Sequence, residues 1–215
     1  MAIGQQKAYG RRGRAWAAPR GGLWFSLILR PSIRPGDAAF LPSAVALCVG
    51  EALEKFAGPA WGFRWPNDIV VSARKIAGVL GESKIVQENV EHVVLGVGLN
   101  ANFAIRELPE DLRESSTTLL HETKRKVDLA YLLVDILARL ESKMRFVAAG
   151  EHERLLSPLR AHDALLGRVM RLRTHLGVLR ATGKALTSDG KLMVELADGS
   201  ERVFDSGEVE RVELL

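Results

Sequence analysis

The sequence has little cysteine and no long uninterrupted apolar run. Its 215 residues include one cysteine, Cys48, so an internal disulfide framework is excluded. Cys48 falls in an apolar helical segment, where a buried structural thiol is expected rather than a nucleophile. No apolar run approaches the roughly 20 residues that cross a bilayer, and the basic N-terminus lacks the apolar core of a secretory signal. We therefore expect a cytoplasmic protein without a membrane span.

Clustered metal ligands are also lacking. The five histidines are scattered along the chain: His92, His121, His152, His162 and His175. Acidic residues do not pair at a spacing that indicates a dedicated cation site. The sequence therefore predicts no protein-built metal site.

Acidic residues are scarce at the start of the chain. The first 37 residues hold seven lysine and arginine residues and a single acid, Asp37, whereas the net charge of the whole chain is only +4. The remainder is therefore slightly acidic. Such localised basicity favours a local anion site over an extended nucleic-acid surface.

A basic, glycine-containing loop spans residues 5–16. Its cations are Lys7, Arg11, Arg12 and Arg14. Flexible backbone beside planar guanidinium groups suits the binding of phosphates. Taken alone, the loop predicts a phosphate-containing ligand and a nucleic-acid contact about equally.

The pattern after this loop predicts an α+β layer fold around one mixed sheet. Asp37 is the expected N-cap of a helix that stops at Gly58-Pro59, and Pro42 must lie in its first turn or shift its start. A second amphipathic helix is expected to bury Tyr131 and Val134. The predicted strands are 23–30, 62–65, 69–71, 75–80 and 92–99, with a polar hairpin at 87–91, and the second helix is 127–147.

After residue 165 the sequence pattern changes and predicts short, closely spaced strands. Turn signals at Ser188-Asp189-Gly190 and Asp198-Gly199 separate them. The predicted strands are 169–172, 176–186, 192–196, 201–204 and 209–214. Strands this close together indicate a small barrel after the main domain, so we expect domains at 1–164 and 165–215.

Two further clusters carry polar residues at turns and strand ends. The first runs from Arg64 to Asp68, with Lys75 seven residues beyond the aspartate. By spacing alone, a tight turn with Asp68 capping backbone N–H groups is favoured. The second contains Gly96, Gly98 and Asn100. Glycines within a strand indicate close approach of another group, and an asparagine at its end can hold a turn or contact a base.

Together the three clusters resemble the biotin–protein ligase family, over nearly the whole chain and in the family's order. That family has a glutamine, a glycine/arginine loop, a tryptophan and a Gly-Gly-Leu turn. A Lys-Trp-Pro-Asn-Asp segment, an Arg-Lys-x-x-Gly segment and a Gly-x-Gly-x-Asn strand follow. The matching positions are Gln5, 8–14, Trp16, 21–23, 64–68, 74–78 and 96–100, and the last strands, with 206–209, resemble the family's SH3-like domain.

The resemblance implies a class II synthetase-like catalytic domain and a specific enzyme activity. The carboxylate of biotin attacks the α-phosphate of MgATP, and a lysine of a biotin carboxyl carrier domain then displaces AMP from biotinyl-5′-AMP. ATP, Mg²⁺ carried by ATP, and biotin are the implied ligands.

The resemblance also assigns residues to roles. The implied catalytic residues are Arg11, Lys75 and Asp68, where Asp68 orients or helps to deprotonate the incoming lysine. Biotin or the adenylate is implied to contact Gln5, Gly10, Arg11, Arg12, Arg14, Trp16, Gly21, Gly22, Leu23, Lys75 and Gly78. The nucleotide is implied to contact Arg12, Arg14, Arg64, Trp65, Asn67 and Asn100. Trp16 is expected to pack under the loop rather than to touch the reacting atoms.

Three departures from the family pattern stand out. Arg64 replaces a lysine, and Ala8-Tyr9 replaces the first Gly-Arg of the loop. A strand and helix with a Ser/Thr-rich motif, which precede the loop in the family and help to build the biotin pocket, are not seen before it. We therefore expect either a misplaced start or a truncated form, and weak or no ligase activity of the sequence as it stands.

Other functions stay open at this point. A lipoate or octanoate ligase is related in fold, and an inactive paralogue or a nucleic-acid-binding module would also fit parts of the pattern. No helix-turn-helix is evident, so DNA is not an expected partner. The expected assembly is a monomer or a homodimer.

Overall fold

A computed structural model describes residues 1–57 and 61–215. The elements alternate between sheet and helix before ending in a run of strands. In chain order they are β1 (Leu23–Leu29), α1 (Leu41–Ala57), β2 (Trp61–Arg64), β3 (Asp68–Val71), β4 (Arg74–Val86), β5 (Asn89–Leu99), α2 (Leu119–Thr123), α3 (Leu129–Ala148), α4 (Glu153–Ala161), β6 (Val169–Thr174), β7 (Gly177–Leu186), β8 (Leu192–Leu196), β9 (Glu201–Phe204) and β10 (Val209–Leu214).

The first sheet has the strand order β1-β5-β4-β3-β2, and each neighbouring pair is antiparallel. Parallel pairing occurs at its margins as isolated bridges, such as the one between Lys75 and Ser116. The predicted α+β class is confirmed, although the named strands form an antiparallel sheet rather than a mixed one. Along β5, Leu95, Val97 and Leu99 are buried in the core, while Gly96 and Gly98 face the opposite side.

Strands β4 and β5 are longer than the sequence predicts. β4 continues to Val86 and β5 begins at Asn89, so that only Gln87 and Glu88, both at positive φ, form the turn. The additional part of β4, after Leu80, is exposed. Exposed strand residues do not alternate between apolar and polar side chains, so the hydrophobic pattern did not predict this part of the strand.

Asp37 is not the N-cap of a long helix. It lies in a 3-10 turn, Pro35–Phe40, and α1 begins only at Leu41, with Pro42 in its first turn as predicted. The Asp37 carboxylate instead accepts hydrogen bonds from Arg34 at 2.8 and 3.1 Å and lies 3.0 Å from His152 Nε2. The predicted stop at Gly58-Pro59 lies outside the described residues.

The stretch Pro35–Phe56 meets the length and composition of a membrane-crossing helix. About two thirds of its most apolar window, 67%, is buried inside the protein. Such burial is what the core helix of a packed sheet-and-helix fold requires.

The predicted buried face of α3 is wrong at two positions. Tyr131 and Val134 are 52% and 62% exposed. The buried residues are Leu132, Ile136, Leu140 and Val147. Arg139 and Lys143 face α1 and bind Glu51 at 3.1 and 2.9 Å. The helix carries two adjacent apolar stripes, and the one that contains Leu132 and Ile136 is packed in the core.

The second sheet has the order β10-β6-β7-β8-β9, and its five strands lie where the sequence predicts them. The turns between β7 and β8 and between β8 and β9 place Gly190 and Gly199 at φ +77° and +82°. A side chain is strained in that region, so these glycines fit the hairpin signals. The sheet is consistent with an SH3-like unit, and the domain division at residue 165 stays a prediction.

Replacing Asp37 with asparagine is expected to lower the thermal unfolding midpoint at pH 7 by several degrees. The Arg34 hydrogen bonds hold the pKa of Asp37 below its ordinary value, against the opposing effect of burial. A lowered carboxyl pKa stabilises the fold above that ordinary value, and this contribution is lost as the pH falls through the folded-state pKa. The difference between D37N and the unchanged chain should therefore shrink toward zero on acidification.

Thermal melts from pH 7 down to pH 3 would measure this difference. Glu141→Gln, at an exposed position of α3, is the matched control and should change the midpoint little at any pH. A D37N deficit that stays constant over the whole range would contradict the assignment.

Candidate active site

A cavity of about 1300 Å³ lies between the basic loop, the first sheet and strand β10. Its floor is the sheet face opposite the core, where Gly78, Gly96 and Gly98 leave space above β4 and β5. Its walls come from the N-terminal loop on one side and the C-terminal strand on the other. Segments from both ends of the chain thus enclose one site.

The basic loop is a short hairpin. Its arms are joined by the Gly10 N–H, which donates to Arg14 O at 2.8 Å, and the Trp16 N–H, which donates to Ala8 O at 2.9 Å. At the tip, Arg12 and Gly13 have φ of +58° and +69°. The hairpin projects its cations from a turn of defined shape.

The loop tip contacts the turn between β9 and β10. Arg11 donates to Ser206 O and, at 3.4 Å, to Val209 O. Arg12 donates to Gly207 O and lies 3.4 Å from the Glu210 carboxylate. The main-chain carbonyl groups of the C-terminal sheet therefore hold the tip over the cavity.

The charge of Arg11 is incompletely compensated in this position. Burial, followed by repulsion from Arg14 and Arg12, lowers the pKa of the Arg11 guanidinium below its ordinary value. A cation in this state is stabilised by an incoming anion. Arg11 and Arg14 both line the cavity, so the loop offers an anion-binding wall.

Trp16 lies flat on the glycine floor. A Cβ atom added at Gly98 would lie 2.5 Å from its indole ring, and one added at Gly78 would lie 3.1 Å from it. Trp24 meets the same ring edge-on, with the ring centroids 6.3 Å apart. The Trp16 Nε1–H is buried and has no hydrogen-bond partner among residues 1–57 and 61–215.

Asp68, Lys75 and Arg64 form a charged cluster at the cavity wall. Lys75 Nζ lies 2.5 Å from Asp68 Oδ1, and Arg64 Nη2 lies 3.0 Å from Asp68 Oδ2. Burial raises the pKa of Asp68, but the charges of Lys75 and Arg64 outweigh it and hold that pKa below its ordinary value. Lys75 Nζ also sits 4.9 Å from the centroid of the Trp16 ring, so the cluster touches the floor.

The two asparagines that were predicted to face the nucleotide differ in which of their side-chain atoms are already hydrogen-bonded. Asn67 donates through Nδ2 to Val79 O at 2.5 Å and so ties the β2–β3 turn to β4. Asn100 donates to Thr117 O at 3.0 Å, and its buried Oδ1 has no partner in the described part of the chain. Asn100 thus carries an unpaired acceptor and Trp16 an unpaired donor, both on residues that line the cavity.

Most of the residues that the sequence singled out line this cavity. They are Gln5, Gly10, Arg11, Arg14, Trp16, Arg64, Trp65, Asn67, Asp68, Lys75, Gly78 and Asn100. The indole N–H of Trp65, however, donates to Gly190 O at 3.0 Å, and 96% of that residue is buried, so its ring belongs to the core.

Four of the singled-out residues lie outside the lining: Arg12, Gly21, Gly22 and Leu23. Arg12 is engaged by the C-terminal sheet, and Leu23 is fully buried in the core. A Cβ atom at Gly22 would lie 1.9 Å from the Trp24 ring, and one at Gly21 would lie 2.7 Å from Asn102 O. The Gly-Gly turn thus supports the site by packing.

Sequence reasoning missed several lining residues. Ser26, Glu82, Ser116, Arg168 and the residues 209–215 all border the cavity. The alternating Gly96 and Gly98 were a signal that something lies close to β5. The C-terminal residues gave no such signal, because their proximity to the loop depends on how the second sheet docks.

Comparisons with known proteins show which sequences and folds this chain resembles. Residues 2–100 match the model of the Biotin/lipoate A/B protein ligase family. The bifunctional ligase/repressor BirA of Bacillus subtilis is 28% identical over 203 residues, which cover 94% of this chain and 62% of that protein. The biotin–[acetyl-CoA-carboxylase] ligase of Paracoccus denitrificans is 40% identical over 93 residues, which cover 42% of this chain and 39% of that protein.

A solved structure extends the match to the whole fold. The biotin protein ligase from Aquifex aeolicus, in complex with biotin and ATP, superposes with a TM-score of 0.85 at 27% identity, over 100% of this chain and 88% of that chain. In sequence and in fold the chain is similar to biotin protein ligases. It spans 62% of the length of the Bacillus relative.

Two departures from the biotin protein ligase pattern have structural consequences. Tyr9, which stands in place of an arginine, donates its hydroxyl to Glu82 Oε2 on β4 at 3.3 Å. Arg64, which stands in place of a lysine, reaches the Asp68 carboxylate. Both replacements occur at the cavity wall rather than at remote surfaces.

Proposed function

We propose that this chain catalyses the ATP-dependent attachment of biotin to a lysine of a biotin carboxyl carrier domain, through biotinyl-5′-AMP. The observation that carries the proposal is that Lys75, Arg11 and Arg14 line one cavity together with Trp16 and Asn100, which each hold a buried polar atom without a partner among the described residues. The reaction needs cations that bind phosphate and hydrogen-bonding groups that bind the adenine base, and residues of both kinds line the cavity.

The first step brings a carboxylate against a triphosphate, so anionic repulsion has to be cancelled while the two are aligned. Lys75 and Arg11 both line the cavity, the first from β4 and the second from the loop. An oxygen of the biotin carboxylate forms a bond to the α-phosphorus, and pyrophosphate leaves. Cations that are already placed stabilise the charge that builds up on the phosphoryl oxygens.

The adenine is assigned to the space beside Trp16 and Asn100. Adenine offers both a donor and acceptors, which match the free Asn100 Oδ1 and the free Trp16 Nε1–H. The flat Trp16 ring supplies a stacking surface. Asn67 is assigned to holding the turn, because Val79 already occupies its amide N–H.

Asp68 is assigned the orientation of the acceptor lysine rather than its deprotonation. The charges of Lys75 and Arg64 keep the pKa of Asp68 low, so this carboxylate is a weak base near neutral pH. It remains a good hydrogen-bond acceptor for an amine. The amine then attacks the acyl carbon of the adenylate, and AMP leaves.

Mg²⁺ is proposed to arrive with ATP. Within residues 1–57 and 61–215 no three His, Cys, Asp or Glu side chains come together as a metal site. The proposed partner is the carrier domain of a biotin-dependent carboxylase, in the cytoplasm. A monomer or homodimer without DNA contact is the proposed state.

The proposal is tested by biotin-dependent exchange of labelled pyrophosphate into ATP. The expected result is exchange that requires biotin and is not supported by lipoate or octanoate. Weak exchange also supports the proposal, provided that it requires biotin. Exchange with lipoate alone would favour the related lipoate-ligase activity, and no exchange together with no biotin binding would overturn the proposal.

Replacing Arg11 with glycine is expected to release biotinyl-AMP before transfer. Arg11 is the residue through which the loop both faces the cavity and bonds to Ser206 and Val209, so its loss frees the lid and removes a phosphate contact. Labelling of lysines on a bystander protein such as serum albumin should rise about tenfold or more, as expected when one charge-assisted contact of about 1.4 kcal/mol or more is lost.

Arg12→Gly is the matched control. Arg12 already has φ +58°, which glycine adopts freely, and it points away from the cavity. This variant loses a loop cation and a contact to Gly207, yet it should label bystanders much less. Equal labelling by both variants would mean that loop flexibility, and not the Arg11 contact, retains the intermediate.

A further inference from the structure

Each oxygen of the Asp68 carboxylate contacts one cation, and the two cationic side chains differ in how freely they can move. Arg64 is the cross-strand partner of Asp68 in the β2–β3 hairpin, so its guanidinium reaches Oδ2 from a fixed position. Lys75 comes from β4 on a four-carbon stem and meets Oδ1. Its side chain is the most exposed of the three, at 25% against 16% for Arg64 and 19% for Asp68.

Lys75 has to meet an anionic ligand if the proposed function is correct, and it is already paired. Moving its ammonium group from Asp68 to a ligand would leave a poorly solvated carboxylate, and an uncompensated charge of that kind is strongly unfavourable. Arg64 prevents this loss of compensation because it stays bonded to Oδ2 of Asp68 when Lys75 moves. The three groups together carry one net positive charge, which suits the arrival of an anion.

We propose that Arg64 is a positioning residue that clamps the Asp68 carboxylate, so that Lys75 can exchange Asp68 for the ligand's anionic group. The identity of that ligand rests on the proposed function, whereas the clamp itself does not. Arg64 acts through Asp68 in this arrangement and does not contact the nucleotide directly. An arginine suits the task because its planar fork remains charged and is held by the hairpin.

A competing arrangement is a direct contact of Arg64 with a phosphate. The two are separated by a double-mutant cycle of Arg64→Gln and Asp68→Asn, with the affinity for ATP measured by calorimetry at pH 7. If Arg64 acts through Asp68, R64Q weakens binding about tenfold in the unchanged background and about twofold or less in the D68N background. If R64Q weakens ATP binding by the same factor in the D68N background as in the unchanged background, the proposal is overturned.

The clamp is also measured without a ligand. In ¹³C-detected titrations of the carboxyl groups, the Asp68 midpoint should rise in R64Q and return toward its original value in R64K, because a nearby cation favours the ionised form. Arg74→Gln is the matched control: Arg74 is ion-paired with Glu122, is adjacent to Lys75 and does not line the cavity. It should leave the Asp68 midpoint in place. An unchanged midpoint in R64Q would overturn the proposal.

These readouts distinguish the two claims. If the unchanged chain binds neither ATP nor biotin, the proposed function fails, but the titration of Asp68 still decides whether Arg64 controls it. If the chain forms the adenylate and R64Q does not move the Asp68 midpoint, the proposed function stands and the clamp fails. A folded R64K variant that restores the midpoint shows that R64Q acts through charge and not through misfolding.

Discussion

Replacing Lys75 with alanine abolishes measurable adenylate formation while the protein stays folded. Lys75 contacts both Asp68 and the Trp16 ring, and under the proposed function the reacting carboxylate and α-phosphate meet beside it. Loss of a preorganised charge at the reacting centre costs about 100-fold to 1,000-fold in rate. The fold tolerates the change because Arg64 continues to compensate Asp68.

The measurement is biotin-dependent pyrophosphate exchange alongside a thermal melt. Lys84→Ala is the matched control, since Lys84 lies on the same strand and pairs with Glu91 at the surface. K84A should retain exchange within about twofold, as expected for an exposed ion pair worth at most about 1 kcal/mol. Exchange by K75A within about threefold of the unchanged chain would remove Lys75 from the reacting centre.

Replacing Gly98 with alanine is expected to displace Trp16 and to weaken ATP binding at least tenfold. The new methyl carbon would lie 2.5 Å from two atoms of the indole ring, closer than packed carbon atoms approach. The Trp16 ring has to leave the floor of the cavity. Its displacement removes the stacking surface and the N–H donor that are proposed to bind adenine. Overpacking of this kind also destabilises a fold by about 1–3 kcal/mol.

Gly96 offers a control on the same strand and the same face. The nearest atoms to an added methyl carbon there lie at 3.9 Å, an ordinary contact distance. G96A should leave the ¹⁵N NMR signal of the Trp16 indole and the free energy of unfolding nearly unchanged, whereas G98A shifts the first and lowers the second. An unshifted indole signal in G98A would show that Trp16 does not rest on Gly98 in solution.

The basic loop shows how local sequence and tertiary contact divide the task of building this site. Its four cations and its glycines were evident from the sequence, and they indicated an anion site. The sequence alone left open whether the partner was a nucleotide or a nucleic acid. The contacts of Arg11 and Arg12 with the turn after β9, 195 residues away, give the loop its closed position over a bounded cavity. A bounded cavity fits a small ligand better than an extended polyanion.

The C-terminal strands and the order of the motifs followed from sequence because their signals are local. Alternation of side chains and turn residues such as Gly190 and Gly199 lie within a few positions of the structure that they specify. The face of α3 did not follow, because the helix carries two adjacent apolar stripes and only its packing selects the one with Leu132 and Ile136. Asp37 was assigned to a cap, whereas its carboxylate binds Arg34, three residues earlier, and His152 from a distant segment.

The sequence by itself determined the residue types of the site: a cationic loop, an Asp–Lys pair and a glycine-spaced strand ending in asparagine. Only the tertiary structure decided how they are used. It placed Trp16 across Gly98, left Trp16 and Asn100 with unpaired buried atoms, and joined Arg64 to the Asp68–Lys75 pair. Covalent order fixes which groups are available, but distances and burial between distant segments arise only when the sheets pack.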